Sequence, residues 1–174
     1  MKTETLRLSD GCVCIRDFRV GDIEKKVEWI NNSQNNTYLH YDIPLCVEKT
    51  LTWFKNKDNS VRRDCIIEYN GVPVGLIGLL NIDEYNSKAE FYICIGEVAY
   101  KGKGIGKAAT KLILNYAFST LHLNKIYLNV DSDNITARKL YEKVGFELEG
   151  IFKQDLFHRG SYIERRRYAI FSKL

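Results

Sequence analysis

The chain has 174 residues, 45% hydrophobic content and a formal net charge of +4. That length and apolar fraction bury one real core and set the count at a single domain; the mild basic balance favours anionic ligands and falls short of a nucleic-acid-binding composition. The longest apolar run, 72–80, holds a proline and two glycines and is far below the ~18 residues of a membrane span. The opening residues carry an acid and no apolar h-region, so no secretory signal is expected. Five cysteines (Cys12, Cys14, Cys46, Cys65, Cys94) sit mostly in apolar segments and fit reduced thiols of a cytoplasmic protein. The histidines His40, His122 and His158 are scattered, and Cys12-x-Cys14 lacks a second ligand pair, so no metal site is expected.

Residues 6–8 and 11–17 read as an opening strand after a turn at Ser9-Asp10-Gly11. Gly21-Asp22 starts a helix with Ile23, Val27 and Ile30 on its buried stripe. The polar stretch 31–37 ends it, because Asn and Ser side chains compete for backbone hydrogen bonds. An aromatic loop, Tyr38-Leu39-His40-Tyr41-Asp42, closes at Pro44, and a second helix carries Val47, Leu51 and Phe54 on one face. Residues 65–69 and 72–80 form a hairpin around Asn70-Gly71, which tolerates positive φ at both positions. After a turn at 83–87, strand 88–96 alternates Ala89, Phe91, Ile93 and Ile95 against Glu90, Tyr92 and Cys94. A basic glycine turn, 100–107, leads into a helix with Ile105, Ala109, Leu112 and Tyr116 on one face, then a strand at 125–130. A short helix from Asn134 to Gly145-Phe146 follows, and the tail closes as a hairpin turning at Arg159-Gly160-Ser161. One β–turn–α–β unit implies a single parallel pair in an otherwise antiparallel sheet.

Free N–H groups at a helix start with small residues and cations form an anion site. The turn is not a P-loop, since Ala108 follows Lys107. Gly104-Ile105-Gly106-Lys107-Ala108-Ala109 fits Gly-x-Gly-x-x-Ala, and Asp131 ends the next strand. Yet residues 96–100 separate the turn from its strand, and no second mononucleotide-binding half exists. A plain helix start eased by glycine is the remaining alternative. Tyr141 lies with Ala137, Leu140 and Val144 at helical spacing, which alone describes a core tyrosine with a hydrogen-bonded hydroxyl.

Taken together, Lys101-x-x-Gly104-x-Gly106 followed by Asn134-x-x-Ala137-x-x-Leu140-Tyr141-x-x-x-Gly145-Phe146 resembles the GCN5-related N-acetyltransferase (GNAT) superfamily. The resemblance covers nearly the whole chain, with Lys101 where Arg or Gln is usual. It implies a single-domain α/β (α+β) fold: a mixed, mostly antiparallel seven-stranded sheet with about four helices. Trp29-Ile30-Asn31-Asn32 and the tail around Gly150 and Gly160 look like three branches, the ribosomal-protein N-terminal, spermidine and nucleotide-amino-sugar acetyltransferases.

The implied cosubstrate is acetyl-coenzyme A, without a metal. Backbone groups of Ile93, Cys94 and Ile95 would hold the pantetheine arm. Amides of Gly102, Lys103, Gly104, Ile105, Gly106 and Lys107, with Lys101, would cradle the pyrophosphate, and Asn134, Ala137 and Lys143 would complete the cofactor site. An acceptor amine near pKa ~10.4 must lose a proton before attack, and a phenol near ~10 can protonate a departing thiolate of ~8.5. Glu90 is the base acting through water and Tyr141 the acid; the alternative for Glu90 is an exposed strand carboxylate. No histidine is placed in sequence to activate Cys94 for a covalent route.

Tyr38, His40, Tyr41 and Tyr85 are the expected acceptor-binding residues. Loops 31–46 and 81–88 hold only Asp42, Asp83 and Glu84 as carboxylates, few for a polyamine, while their Asn and aromatic residues suit sugar hydroxyls or a base ring and lean toward a nucleotide-linked amino sugar, with a protein N-terminal amine as the alternative the sequence does not separate from it. A non-catalytic acyl-coenzyme A-binding module has no use for Tyr141. The partners expected are a small-molecule or peptide amine, with no nucleic acid and no membrane, and a homodimer is compatible with this reading.

Overall fold

The computed structural model describes residues 5–173. These form β1 (Arg7–Asp10), β2 (Val13–Asp17), α1 (Ile23–Asn31), α2 (Val47–Asn56), β3 (Arg63–Tyr69) and β4 (Val72–Asp83), then β5 (Lys88–Ile95), α3 (Ile105–Ser119), β6 (Lys125–Asp131), α4 (Ile135–Val144), β7 (Glu147–His158) and β8 (Ser161–Phe171). The sheet runs β1-β2-β3-β4-β5-β6-β8-β7, and β5–β6 is its parallel pair. It has eight strands where seven were expected. The difference lies at the start: Gly11, at φ +58, closes a tight hairpin pairing Asp10 with Val13. Asp-Gly is a hairpin signal in its own right, and reading it as an approach to one strand concealed β1.

Alternation on the strands builds two cores. Cys65, Ile67, Ile77, Leu79 and Phe91 face α3 and α4, while Ile66, Leu76 and Tyr92 face α1 and α2. On α3 the buried positions are Ile105, Ala109, Thr110, Ile113, Leu114 and Ala117, with Leu112 and Tyr116 only partly buried beside them. Lys107, Lys111, Asn115 and Ser119 form its exposed stripe, and the wide apolar face opposite let periodicity locate the buried positions only to within about a hundred degrees.

Two features position the site. The β5–β6 pairing covers only Lys88↔Lys125, Ala89↔Ile126 and Glu90↔Tyr127, although β5 continues to Ile95 and β6 to Asp131. Beyond Glu90 the strands part, and one backbone edge of β5 faces a cleft. The second is Gly96 at the end of β5, where an added Cβ would lie 2.2 Å from the Trp29 ring. Trp29 is 2% exposed and its Nε1 donates to Glu97 at 2.9 Å. Gly96→Ala should therefore lower unfolding free energy by about 1–3 kcal/mol through overpacking, measured by urea denaturation; wild-type stability would show that Trp29 moves aside freely.

Candidate active site

The parted strands enclose a cavity of about 540 Å³ lined from both faces of the sheet. On the α3/α4 face, the lining includes Lys101, Gly102, Gly104, Ile105, Gly106 and Lys107. Gly102 and Gly104 sit at φ +75 and +78, and Gly104 caps α3 in the left-handed conformation. The first helical bond runs from Ala108 N to Gly104 O, so the amides before it have no partner within the helix and point outward from the turn. Lys103 does not line the cavity; its ammonium lies 5.0 Å from the Tyr100 ring, which does.

Ile93, Cys94 and Ile95 line the same cavity along the open edge of β5. Their other edge pairs with β4, where Gly75 permits close approach: a Cβ there would lie 2.4 Å from the Cys94 carbonyl oxygen. Burial pushes the Cys94 thiol up to about 11, offset in part by Lys101. A thiol so raised stays protonated near neutral pH, which argues against a covalent route.

On α4, Asn134 is the N-cap and its side chain accepts from Ala137 N at 3.2 Å, while Gly145 ends the helix at φ +114. Asn134, Thr136, Ala137, Leu140 and Tyr141 line the cavity. Lys143 is exposed and lies outside it. Two residues past Tyr141, it projects some 200° round the helix from it. Tyr141 is 8% exposed, edge-on to Phe91 at 6.2 Å and against Phe146 at 5.9 Å. Burial raises its hydroxyl well above the ordinary phenol range, so the proton is retained near neutral pH.

The opposite face carries the carboxylates. Ile126, Leu128 and Val130 fill the α3/α4 core, so Tyr127, Asn129 and Asp131 turn the other way, as Glu90 does beside Phe91. Glu90 accepts from Asn81 at 3.0 Å and from Asn129 at 3.1 Å, one amide on each oxygen. Asn81 reaches it from a bulge in β4, at φ +50. Asp131, 6% exposed, lies 2.8 Å from His40 Nε2. Tyr38, Leu39 and His40 line the cavity from the loop before α2, and the Tyr38 hydroxyl donates to the Asp133 carbonyl.

Two expected acceptor residues lie elsewhere. Tyr85 is 95% exposed on the β4–β5 turn, outside the cavity. Tyr41 is packed into the α1/α2 core, its ring 5.8 Å from the ammonium of buried Lys26, which also sits 3.5 Å over Trp53. Burial lifts the Tyr41 hydroxyl to about 12 and lowers Lys26 to about 8. Between pH 8 and 10 the unfolded chain therefore holds the extra proton at Lys26, and the lysine's own contribution to stability rises with pH. The buried Cys65 and Cys94 thiols act in the opposite direction from about pH 9, and Tyr41 from about pH 10. Lys26→Met should remove the rise between pH 8 and 10, read as unfolding free energy across that range; a pH-independent difference from wild type would contradict the lysine's burial as a cation.

Asn129 and Asp131 went unrecognised as site residues in the sequence. The alternation of 125–130 placed them opposite the apolar positions, but only the early end of β5–β6 pairing turns that face into a cavity wall.

Residues 13–147 match the Acetyltransferase (GNAT) domain family. Spermidine N(1)-acetyltransferase of Escherichia coli strain K12 is 40% identical over 125 residues, covering 72% of this chain and 67% of that protein. The Vibrio cholerae spermidine N(1)-acetyltransferase is 32% identical over 163 residues, 91% of this chain and 93% of its own. A crystal structure of the Vibrio cholerae spermidine N-acetyltransferase in complex with CoA and spermine superposes with a TM-score of 0.84 at 28% identity, covering 93% of this chain and 96% of that one. Among the described residues no helix is long and apolar enough to cross a membrane. The chain belongs to the GNAT acetyltransferase family and is an acetyl-CoA-dependent N-acetyltransferase.

Proposed function

We propose that the acceptor is a polyamine such as spermidine, entering from the α1/α2 face to meet acetyl-CoA held on the α3/α4 face. The observation that carries this is the segregation of charge in one cavity. Lys101 and Lys107 lie at the glycine turn, and the carboxylates Glu90 and Asp131 lie on the opposite side of the sheet. Cations at a helix N-terminus suit a pyrophosphate, and carboxylates suit an ammonium. The two spermidine acetyltransferases described above support the same acceptor. A nucleotide-linked amino sugar, favoured by the loop composition alone, would bring its own diphosphate toward the carboxylate side and be disfavoured there.

In this reading the open backbone edge at Ile93, Cys94 and Ile95 holds the pantetheine arm and polarises the thioester carbonyl. The deprotonated amine attacks that carbon, the C–S bond breaks, and Tyr141 gives its proton to the sulfur. Glu90, fixed by Asn81 and Asn129, attracts and orients the ammonium. Glu90→Gln should raise the spermidine KM at least about tenfold, the loss of one charge-assisted hydrogen bond, with acetyl-CoA affinity unchanged. An unaltered KM would remove Glu90 from the acceptor site.

A second reading has its own observation. Both cavity carboxylates are already compensated, Glu90 by two amides and Asp131 by His40, and a ligand with several ammonium groups gains less from such partners. A single amine on an amino sugar needs only one. The deciding experiment is a thiol-release assay with acetyl-CoA over spermidine, monoamines, nucleotide-linked amino sugars and peptides with free N-termini. Highest kcat/KM on spermidine supports the proposal, and highest kcat/KM on an amino sugar overturns it.

A further inference from the structure

We propose that His40, held by Asp131, is the base that takes the proton from the acceptor amine, with Glu90 serving only as its anchor. The inference rests on the amine-acetylation reading above. Its basis is how differently the two polar groups on the acceptor side are engaged.

Glu90 has an amide N–H on each carboxylate oxygen. Both oxygens are thus already engaged and held in place, the arrangement of a fixed anchor for an ammonium. His40 is arranged the other way. Its side chain is 23% exposed and lines the cavity, while Asp131 behind it is 6% exposed. A carboxylate only accepts, so the 2.8 Å contact makes Nε2 the donor and leaves the lone pair on Nδ1. Nδ1 makes no hydrogen bond among the described residues. A buried carboxylate fixing an imidazole's tautomer and stabilising the imidazolium that forms is the arrangement a histidine base uses.

Three further contacts hold the loop and the ring. The Tyr38 hydroxyl donates to the Asp133 carbonyl just past Asp131. Arg159, in the β7–β8 turn, donates to the carbonyl and side-chain oxygens of Asn36 at 3.2 and 3.3 Å, tying down the same loop. The His158 ring meets His40 edge-on at 4.7 Å. The charged and titratable groups about His40 are thus Asp131 from β6, His158 at the end of β7 and Arg159 from the turn. Burial, then His40 and Arg159, hold the His158 imidazole below its usual range, so it packs against His40 as a neutral ring.

The protons balance. The ammonium gives one proton to Nδ1, the free amine forms the C–N bond, and the C–S bond breaks. The second proton leaves the nitrogen as the amide forms and replaces the one Tyr141 gives to sulfur. The proton on His40 passes to solvent.

The test measures kcat against pH, on whichever amine in the panel turns over fastest, for wild type, His40→Gln, Asp131→Asn and Glu90→Gln. In His40→Gln the introduced amide can still donate to Asp131, so the carboxylate keeps its partner and the variant should fold. His40→Gln should lower kcat about a hundredfold, within the range of general-base contributions. Its rate should climb with hydroxide across the whole range, with no plateau, and acetyl-CoA affinity should not change. Added imidazole should restore rate to His40→Ala. Asp131→Asn should move the acidic limb of the profile to lower pH, since the imidazolium loses its counter-charge, an effect a purely structural role would not produce. Glu90→Gln should keep the wild-type profile with a raised KM. The proposal is overturned if His40→Gln retains the wild-type profile with only a raised KM, or if Glu90→Gln is the variant that loses the limb. Because the assay uses the best acceptor found, either result is independent of whether that acceptor is a polyamine.

Discussion

Gly106→Glu is expected to raise the acetyl-CoA Kd by at least about a hundredfold while leaving the protein folded. A Cβ at this position meets Leu140 Cδ2 at 3.5 Å and Ile93 Cδ1 at 3.7 Å, ordinary contacts that need no rearrangement. A carboxylate in the first turn of α3 also favours the helix electrostatically. The same carboxylate enters the cavity that Lys101 and Lys107 also line and presents an anion to a pyrophosphate there. Like charges brought together at a binding site cost several kcal/mol, and about 2.7 corresponds to the hundredfold loss. Gly104→Glu should block binding as well, but it also forces a side chain into φ +78 and will lower stability. Gly106→Glu separates cofactor exclusion from unfolding. Isothermal titration with acetyl-CoA on a variant of wild-type Tm gives the answer, and unchanged affinity would remove the cofactor from the glycine turn.

Tyr141→Phe should lower kcat at least about tenfold with little change in acetyl-CoA affinity. The substitution keeps the ring that packs edge-on against Phe91 and Phe146 and removes only the hydroxyl. That hydroxyl makes no hydrogen bond among the described residues, so its loss strands no buried partner and should cost little stability. An interaction made only as the thiolate departs shows in kcat and not in ground-state binding. Single-turnover and steady-state kinetics side by side provide the check. Full turnover with a lowered Tm would make Tyr141 a packing residue.

The sequence was most legible where local chemistry and function coincide. Gly102, Gly104 and Gly106 had to be small or left-handed to open α3 toward a ligand, and Asn134 and Gly145 are the caps that fix where α4 begins and ends. Those signals are short-range and survive without the fold. The acceptor side was less legible because it is assembled from distant segments. His40 meets Asp131 across 91 positions, and Glu90 meets Asn129 across 39. Composition misled in the same region: the aromatic residues at 38–41 looked alike, yet Tyr41 turns inward over Lys26 while Tyr38 and His40 face the cavity. Counting carboxylates by loop also missed Glu90 and Asp131 as a pair, since both sit on strands whose inner ends are exposed only because β5 and β6 part.

The central claim is that cofactor and acceptor approach one carbon from opposite faces of the sheet through that fork. It is tested most directly with a bisubstrate conjugate in which the sulfur of coenzyme A is joined through an acetyl bridge to a terminal nitrogen of spermidine. If both halves seat at once, the conjugate should bind at least about a hundredfold tighter than coenzyme A, the gain expected from linking two sites. Gly106→Glu and Glu90→Gln should each weaken it. A conjugate that binds no tighter than coenzyme A would contradict the account.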